Sequence, residues 1–394
     1  MTDGRCILER AREIGFPRYP GTNGDLKAIE LIERSLQEAG LETTVEWFTY
    51  DLAPAQRALR ATLVLGALLT GCAGVIANRA PLLSLGFLAA ALVPGLIFLA
   101  WSPWLEKLYR REGGTRTANV IGRRRAKIPG TTLILMAHHD SKSQSISLPW
   151  RVGLTVVALL GVLALAGIGT ALFSGLSVPP WVAPVGGGLT AAAALALSTM
   201  KSGNESPGGV DNAGSVGIIV EVARRLIRAL PREVELIVLS TGAEEDHMIG
   251  AIRWLDAHAE QLPRPTFCLN LDGAGAPGRE VLIERYGFGR CFSPEISAAA
   301  RRAAARLGLR PRAIVMLPGL GIDAIPFAHR GIPCLTIASG SLGRATLSVH
   351  SKHDTVENLD PVTLGRIADL AYETSMEVCG AVDDPTREPQ PDAE

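Results

Sequence analysis

The polar residues best suited to chemistry stand where apolar runs stop. His138, His139 and Asp140 follow the run 133–137, Glu244 and Glu245 follow 234–240, and Asp272 follows 267–271. Continuous apolar runs of this length suit central strands covered on both faces. In an open α/β sheet, ligands bind outside the carboxyl ends of such strands. Carboxylates gathered there unpaired would repel and lose hydration, and a divalent cation removes that cost. A donor set of His and carboxylates suits zinc, with manganese or cobalt as substitutes. Each residue alone has a plainer reading. His138 can be a satisfied strand-end histidine, Glu244-Glu245 a solvated helix start, and Asp272 before Gly273 a turn. Asp211-Asn212 reads as a loop and helix cap, and His350 as a surface histidine. Chance accounts poorly for all of them together in this order.

The elements that must position them alternate between strand and helix. The stretch 24–40 has helical apolar spacing (Leu26, Ile29, Leu31, Ile32, Leu36), and 42–50 alternates like a strand. Further strands are predicted over 131–137, 234–240 and 266–271. Helices are predicted over 215–230, with Arg224, Arg225 and Arg228 on the polar side, and over 248–261 and 361–379. The sum is an α/β domain with a mixed, mainly parallel sheet. The Pro- and acid-rich stretch 383–394 is expected to be a flexible tail.

Two apolar blocks interrupt this pattern. Hydrophobic residues make up 47% of the 394-residue chain and charged residues 20%, below the about 25% charge of an ordinary soluble domain. The excess lies in segments 61–77, 82–101, 152–173 and 181–198. A bilayer needs about 20 apolar residues per helix, with a range of about 17–25, so all four read as transmembrane helices. They form two hairpins with tips near 78–81 and 174–180. Gly and Ala within them favour close packing in lipid, and Trp101, Trp104, Trp150 and Trp181 flank them as interfacial aromatics do. The alternative is a set of buried core helices. The polar start, 1–12, argues against reading the first block as a cleaved leader. Four spans leave all polar segments on one side. Arg57, Arg60, Lys107, Arg110, Arg151 and Lys201 flank the spans there, whereas the tips carry only Arg79. The positive-inside rule then puts the polar domain in the cytoplasm, which suits six scattered cysteines without paired spacing. The expected division is a discontinuous polar domain (1–56, 107–150 and 201–382), hairpins over 57–106 and 151–200, and the tail.

Charge excludes one class of partner. Lys and Arg number 39 and Asp and Glu also 39, so no basic excess is present for binding nucleic acid.

The order of the polar segments carries a resemblance. His138-His139-Asp140-Ser141 resembles the His-X-Asp-Ser motif of the co-catalytic di-zinc aminopeptidases, peptidase family M28. Gly209-Val210-Asp211-Asn212-Ala213-Gly214, Gly242-Ala243-Glu244-Glu245, Asn270-Leu271-Asp272 and His350-Ser351-Lys352-His353-Asp354-Thr355 are similar to its later motifs, in order. Asn119-Val120-Ile121-Gly122 looks like the strand before the first ligand. The resemblance covers about 20–50 and 115–380 outside the second hairpin. It implies a phosphorylase/hydrolase-like zinc-exopeptidase sandwich and two zinc ions. His138 and Asp272 would bind one ion, Glu245 and His350 the other, and Asp211 both. Asp140 would orient His138, and Glu244 would act as the catalytic general base. The expected activity is membrane-bound hydrolysis of peptide substrates, most simply as an aminopeptidase.

There are departures from the family pattern. The second hairpin stands between His138 and Asp211, which relatives keep close in sequence. Val349 replaces the Tyr that often precedes the last His, and Ala324 replaces a His after Asp323. The same scaffold also serves carboxypeptidases, dipeptidases and glutaminyl cyclase-like acyltransferases. A catalytically dead receptor is a further alternative, although it predicts lost ligands. A transporter is weaker still, because no charged residue lies within the spans.

Overall fold

The computed structural model describes residues 2–99, 106–128, 130–263, 265–341 and 343–380. The flanking Trp101 and Trp104 and the tail 383–394 lie outside them. In chain order the amino-terminal part is α1 (Gly4–Glu13), α2 (Asn23–Glu38) and β1 (Glu42–Tyr50). The first helical hairpin is α3 (Ala53–Ile76) and α4 (Pro81–Leu99), followed by the short α5 (Glu106–Tyr109). Then come β2 (Thr115–Arg124), β3 (Thr132–His138) and β4 (Ser143–Gln144). The second hairpin is α6 (Leu148–Phe173) and α7 (Val182–Ser198), closed by β5 (Ser202–Gly203). The remainder is α8 (Gly214–Ala229), β6 (Glu235–Thr241), α9 (Ile249–His258), β7 (Thr266–Leu271), β8 (Arg279–Tyr286), β9 (Arg290–Cys291), α10 (Pro294–Arg306), β10 (Arg312–Val315), α11 (Ala324–His329), β11 (Cys334–Gly340), α12 (Arg344–Leu347) and α13 (Pro361–Val378).

The main sheet has the order β1-β2-β6-β3-β7-β11-β8-β10, with β9 on β8. Its centre is parallel, β6-β3-β7-β11, and antiparallel pairs join β1 to β2, β2 to β6 and β11 to β8. This is a mixed α/β fold with a parallel core, as the apolar runs require. Every residue of β3 is buried, and successive side chains serve opposite faces. Leu133 and Leu135 join Ile7, Leu36, Ile218, Val222 and Ile367 on one face. Ile134 and Met136 join Ile252, Trp254 and Phe327 on the other. A continuous apolar run can satisfy both faces at once, whereas an alternating one cannot.

The hairpins leave the sheet domain at four points. β1 leads into α3, and the chain returns through α5. There, buried Glu106 lies 2.7 Å from His329 Nδ1 and 3.2 Å from Arg330 Nη1. β4 leads into α6, and α7 returns through β5, which pairs antiparallel with β4. The two tips meet where Asn78 Nδ2 donates to the Pro180 carbonyl at 2.9 Å. The four helices pack through small residues. A Cβ on Gly74 would lie 2.5 Å from the Ala183 carbonyl oxygen and 2.9 Å from Gly187 Cα, so only glycine permits the α3–α7 approach.

Span length differs from the expectation that all four segments reach the length of a bilayer crossing, 61–77 and 181–198 only narrowly. Two helices, Ala53–Ile76 and Leu148–Phe173, are long and apolar enough to cross a membrane. The other two apolar stretches, Pro81–Ile97 and Val182–Ser198, are shorter. Physical boundaries set these lengths: Pro81 opens α4, the Pro179-Pro180 pair precedes α7, and α7 ends at Ser198. At 1.5 Å per residue, the 17 residues of α7 rise about 25 Å.

Candidate active site

Strand ends and the loops after them bring the singled-out residues together. His138 is the last residue of β3. Its Nε2 lies 3.0 Å from Asp211 Oδ1, 3.8 Å from Asp272 Oδ1 and 3.9 Å from Glu244 Oε2. His350 Nε2 lies 3.1 Å from Asp211 Oδ2 and 2.9 Å from Glu245 Oε2. Asp211 therefore turns one oxygen toward each imidazole. Two triads result, His138–Asp211–Asp272 and Asp211–Glu245–His350, each with donor atoms within 4.8 Å of one another. Glu244 belongs to neither triad.

Buried hydrogen bonds hold this geometry. Asp140, fully buried, accepts from the Glu244 and Glu245 amides at 3.1 Å each, and its carbonyl faces His138 Nδ1 at 3.2 Å. One residue thus holds a histidine on β3 through its carbonyl and both glutamates after β6 through its carboxylate. Asp354 accepts from the Val210 amide at 2.8 Å and the Asp211 amide at 3.2 Å. Asn212 donates to the Leu271 carbonyl and accepts from the Gly273 amide, tying the Asp211 loop to the end of β7. Asn119 on β2 accepts from Gly242 and donates to Gly250, bracing the loop that carries the glutamates. Ala243, His247, Met248 and His350 all have positive φ. Side chains other than glycine adopt that conformation at a cost, and such residues cluster at functional sites.

The electrostatics fit a cation. Burial pulls the His138 pKa down, yet Glu244 and the facing aspartates hold it well above the ordinary histidine value. The Glu244 pKa is pushed well up by burial and by Asp272, Asp323 and Glu245, against the pull of His138. Burial likewise raises Asp272. Asp211 moves the other way, well below the usual carboxylate range, because hydrogen bonds from both histidines outweigh its burial. His350 is brought to about 9, with Glu245 and Asp211 overcoming its burial. The site therefore holds more carboxylates than its imidazoles can balance. Buried Glu245 Oε1 also accepts no hydrogen bond among the described residues. A buried donor atom facing an acidic centre without a partner fits a zinc site.

Several contributors escape a reading of the sequence. Arg18, fully buried, donates to the carbonyls of Ile14 (2.9 Å), Gly208 (2.8 Å), His139 and Pro207. It ties the first helical region to the backbone beside both His138 and Asp211. Tyr19 and Tyr50 donate to Asp246, at 3.0 and 2.6 Å. Lys142 Nζ lies 3.2 Å from Glu245 Oε2 and donates to the Glu245 carbonyl. Burial alone would lower its pKa, but Glu245, Asp246 and Glu244 raise it, so it is charged. Arg151 Nη2 and Gln144 Oε1 both reach His350 Nδ1, at 2.8 and 3.0 Å. Asp323 accepts from Thr241 Oγ1. No motif marks Arg18, Gln144 or Arg151, whose partners are distant in sequence. Val349 packs against the core and Ala324 is buried, so neither supplies a polar group.

The fold is that of solved aminopeptidases, and the cluster is a candidate metal site within it. The profile of Peptidase family M28 matches residues 185–375, a stretch that includes Asp211, Glu244, Glu245, Asp272 and His350 and begins after His138. Aminopeptidase YwaD of Bacillus subtilis (strain 168) is 24% identical over 168 residues, 42% of this chain and 36% of its own length. The match thus spans about a third of that curated relative. Among solved structures, the zinc aminopeptidase BSAP from Bacillus subtilis superposes with a TM-score of 0.55 at 14% identity, over 95% of both chains. A glutaminyl cyclase of Bacteroides thetaiotaomicron superposes with a TM-score of 0.55 at 15% identity, over 94% of this chain and 97% of that one. The chain is thus similar to M28 hydrolases in sequence over its carboxyl-terminal half, and to zinc aminopeptidases of known structure in fold.

Proposed function

We propose that the chain is a membrane-bound di-zinc peptidase that removes amino-terminal residues from peptides. The observation that carries this reading is the pair of triads sharing Asp211, with Glu244 beside them and outside both. His138 and Asp272 would hold one ion and Glu245 and His350 the other, with Asp211 common to both groups. Zinc bound there would supply Lewis-acid activation of water and of the substrate carbonyl. Glu244 takes the proton of the attacking water and returns it to the leaving amine. Burial, together with Asp272, Asp323 and Glu245, raises the Glu244 pKa, which makes its carboxylate a stronger base than an ordinary glutamate. Asp140 fixes the imidazole of His138 and the backbone of both glutamates. Arg18 holds the loop that leads to Asp211.

The membrane reading rests on the helices of the two hairpins. Leu65, Leu68, Val75, Leu160, Leu163 and Leu189 are all at least half exposed. Exposed apolar area on every side of a small bundle suits lipid rather than water. The four segments cross the bilayer in two hairpins, the shorter pair by local thinning, and the basic flanks orient the discontinuous polar domain to the cytoplasm. Because β4 and β5 link the second hairpin to the His350 loop, the site opens near the membrane surface and favours short, membrane-proximal peptides.

The test is metal analysis of detergent-purified protein alongside Glu244→Ala. Two zinc ions are expected in both forms, with free amino-terminal residues released from peptides only by the unmutated one. Full activity in the variant would remove Glu244 from its role. Extraction of the protein by alkaline carbonate would overturn the membrane placement. The likeness to a glutaminyl cyclase favours a second reading, in which the same groups act on an amino-terminal glutamine. Ring closure without release of an amino acid would select it.

A further inference from the structure

We propose that the substrates of this site are the amino termini of chains anchored in the same bilayer, because all four roots of the membrane hairpins close around the cluster. The inference rests on the membrane-bound peptidase reading above and names its substrate class. Each root is bonded to, or stacked on, the segments that carry Glu245 and His350. Before α3, Tyr50 Oη donates to Asp246 Oδ2 at 2.6 Å, and Asp246 follows Glu245. After α4, Tyr109 of α5 stacks on His247, with ring centroids 4.7 Å apart. In the first turn of α6, Arg151 Nη2 lies 2.8 Å from His350 Nδ1. After α7, the Lys201 carbonyl accepts from the Ser145 amide at 3.0 Å, beside the Gln144 amide, which donates to the His350 carbonyl at 3.0 Å.

Strand register puts the roots and the site on the same side. Val120 pairs with Ser240 near the carboxyl end of β6, and antiparallel β2 extends past that level to Thr115, which pairs with Tyr50. β1 therefore delivers α3 beyond the strand ends where His138, Glu244 and Asp272 stand. The depth follows from α6. The uncharged run 152–200 begins directly after Arg151, and an arginine at the end of a span keeps its guanidinium at the headgroup layer. His350, in contact with that guanidinium, lies at the same depth. Trp150, 70% exposed in the same turn, suits that layer too. On α3 the apolar segment starts at 61, about 12 Å of helix after Ala53. The bilayer is thus the roof of the site. An amino terminus reaches it along the membrane plane, from a chain whose own apolar anchor begins a few residues further on. A folded soluble protein meets the headgroups first.

The experiment uses the full chain reconstituted in phosphatidylcholine vesicles. One peptide is presented free, or joined to an apolar helix of about 20 residues through spacers of about 3, 10 and 30 residues. An extended residue spans at most about 3.3–3.6 Å, so the shortest spacer reaches only about 10 Å above its anchor. The amino-terminal residue is expected to be released from all anchored forms, the shortest included, at least about tenfold faster than from the free peptide, because enzyme and substrate share one surface. Sparing of the shortest form while the longest and the free peptide are cut overturns the inference and leaves the peptidase reading. Equal rates for free and anchored forms do the same. Depth is also read without catalysis. With Cys6, Cys72, Cys291 and Cys379 changed to serine, one fluorophore is attached through Leu347→Cys, at the end of α12 just before His350. Another is attached through Phe288→Cys, in the turn after β8 at the opposite end of the sheet. Lipid spin-labelled on its headgroup should quench the first strongly and leave the second unchanged. No quenching at Leu347, or equal quenching at both, overturns the placement. Quenching at Leu347 alone, with no residue released from any form, overturns the peptidase reading instead.

Discussion

The two histidines of the site are alike in chemistry and opposite in surroundings. His138 ends a strand buried on both faces, and the partners of its Nδ1 are acceptors, so its tautomer is fixed by the fold. His350 sits on a loop at positive φ, and its Nδ1 is contested by an acceptor and a cation. Asp272, which shares the first triad, is likewise set by a strand end, where its amide donates to the Ile337 carbonyl of β11 at 3.2 Å. Glu245, in the second triad, is paired with Lys142. Identical donor types thus make one position that the sheet pre-forms and one that the chain can close with its own charges. Ligand identity alone does not set affinity; the partners behind each ligand do.

The strongest way to break this comparison is to remove what both positions share. Asp211→Ala should abolish tight binding at both and lower peptide hydrolysis by more than about 10³-fold. Retention of one tightly held zinc ion in that variant would mean that the first position does not need the bridge. Asp140→Asn probes the groups behind the first histidine. It keeps the shape but replaces one carboxylate oxygen by an amide donor, which cannot accept from the Glu244 or Glu245 amide. Zinc affinity at the first position is expected to fall about 10–100-fold, read by titration against a chelator. A loss confined to the second position would invert the assignment of strand-held and contested sites.

The parts of the molecule legible from sequence are those governed by local patterning. The bounds of β1 and β7 match the predicted segments: β1, at the sheet edge, keeps its alternation throughout, and the apolar run of central β7 ends where the strand leaves the core. His138, Glu245 and Asp272 were visible as polar residues at strand ends, and Asp211 and His350 only through the order of the motifs. Three features were not legible. Helix α1, with sequence GRCILERARE, buries only Gly4, Ile7 and Ala11, and its charge hides that stripe. Helix α3 starts at Ala53, ahead of the apolar segment at 61, because Arg57 and Arg60 continue the helix without adding hydrophobicity. The groups that tune the site, Arg18, Lys142, Gln144 and Arg151, act across sequence separations that no spacing rule spans. The buried Arg18 reaches carbonyls at 139, 207 and 208. Such contacts exist only once the sheet has assembled.

The smallest expected effect sharpens the comparison most, because it touches one position alone. Lys142 stacks a positive charge against Glu245 Oε2 at 3.2 Å, within a pocket that also holds Asp246 and Glu244. That charge repels a divalent ion and draws Glu245 away from it. Lys142→Met keeps most of the buried stem and removes the charge. Asp246 loses an attractive partner but keeps two hydroxyl donors, Tyr19 and Tyr50, so the pocket stays satisfied. The second zinc constant should tighten by about three- to tenfold, in the range of a single ion pair of about 1 kcal/mol. The first constant should not move, since His138, Asp211 and Asp272 make no ion pair with Lys142 among the described residues. A weaker second constant in this variant would mean instead that Lys142 orients Glu245 for the ion.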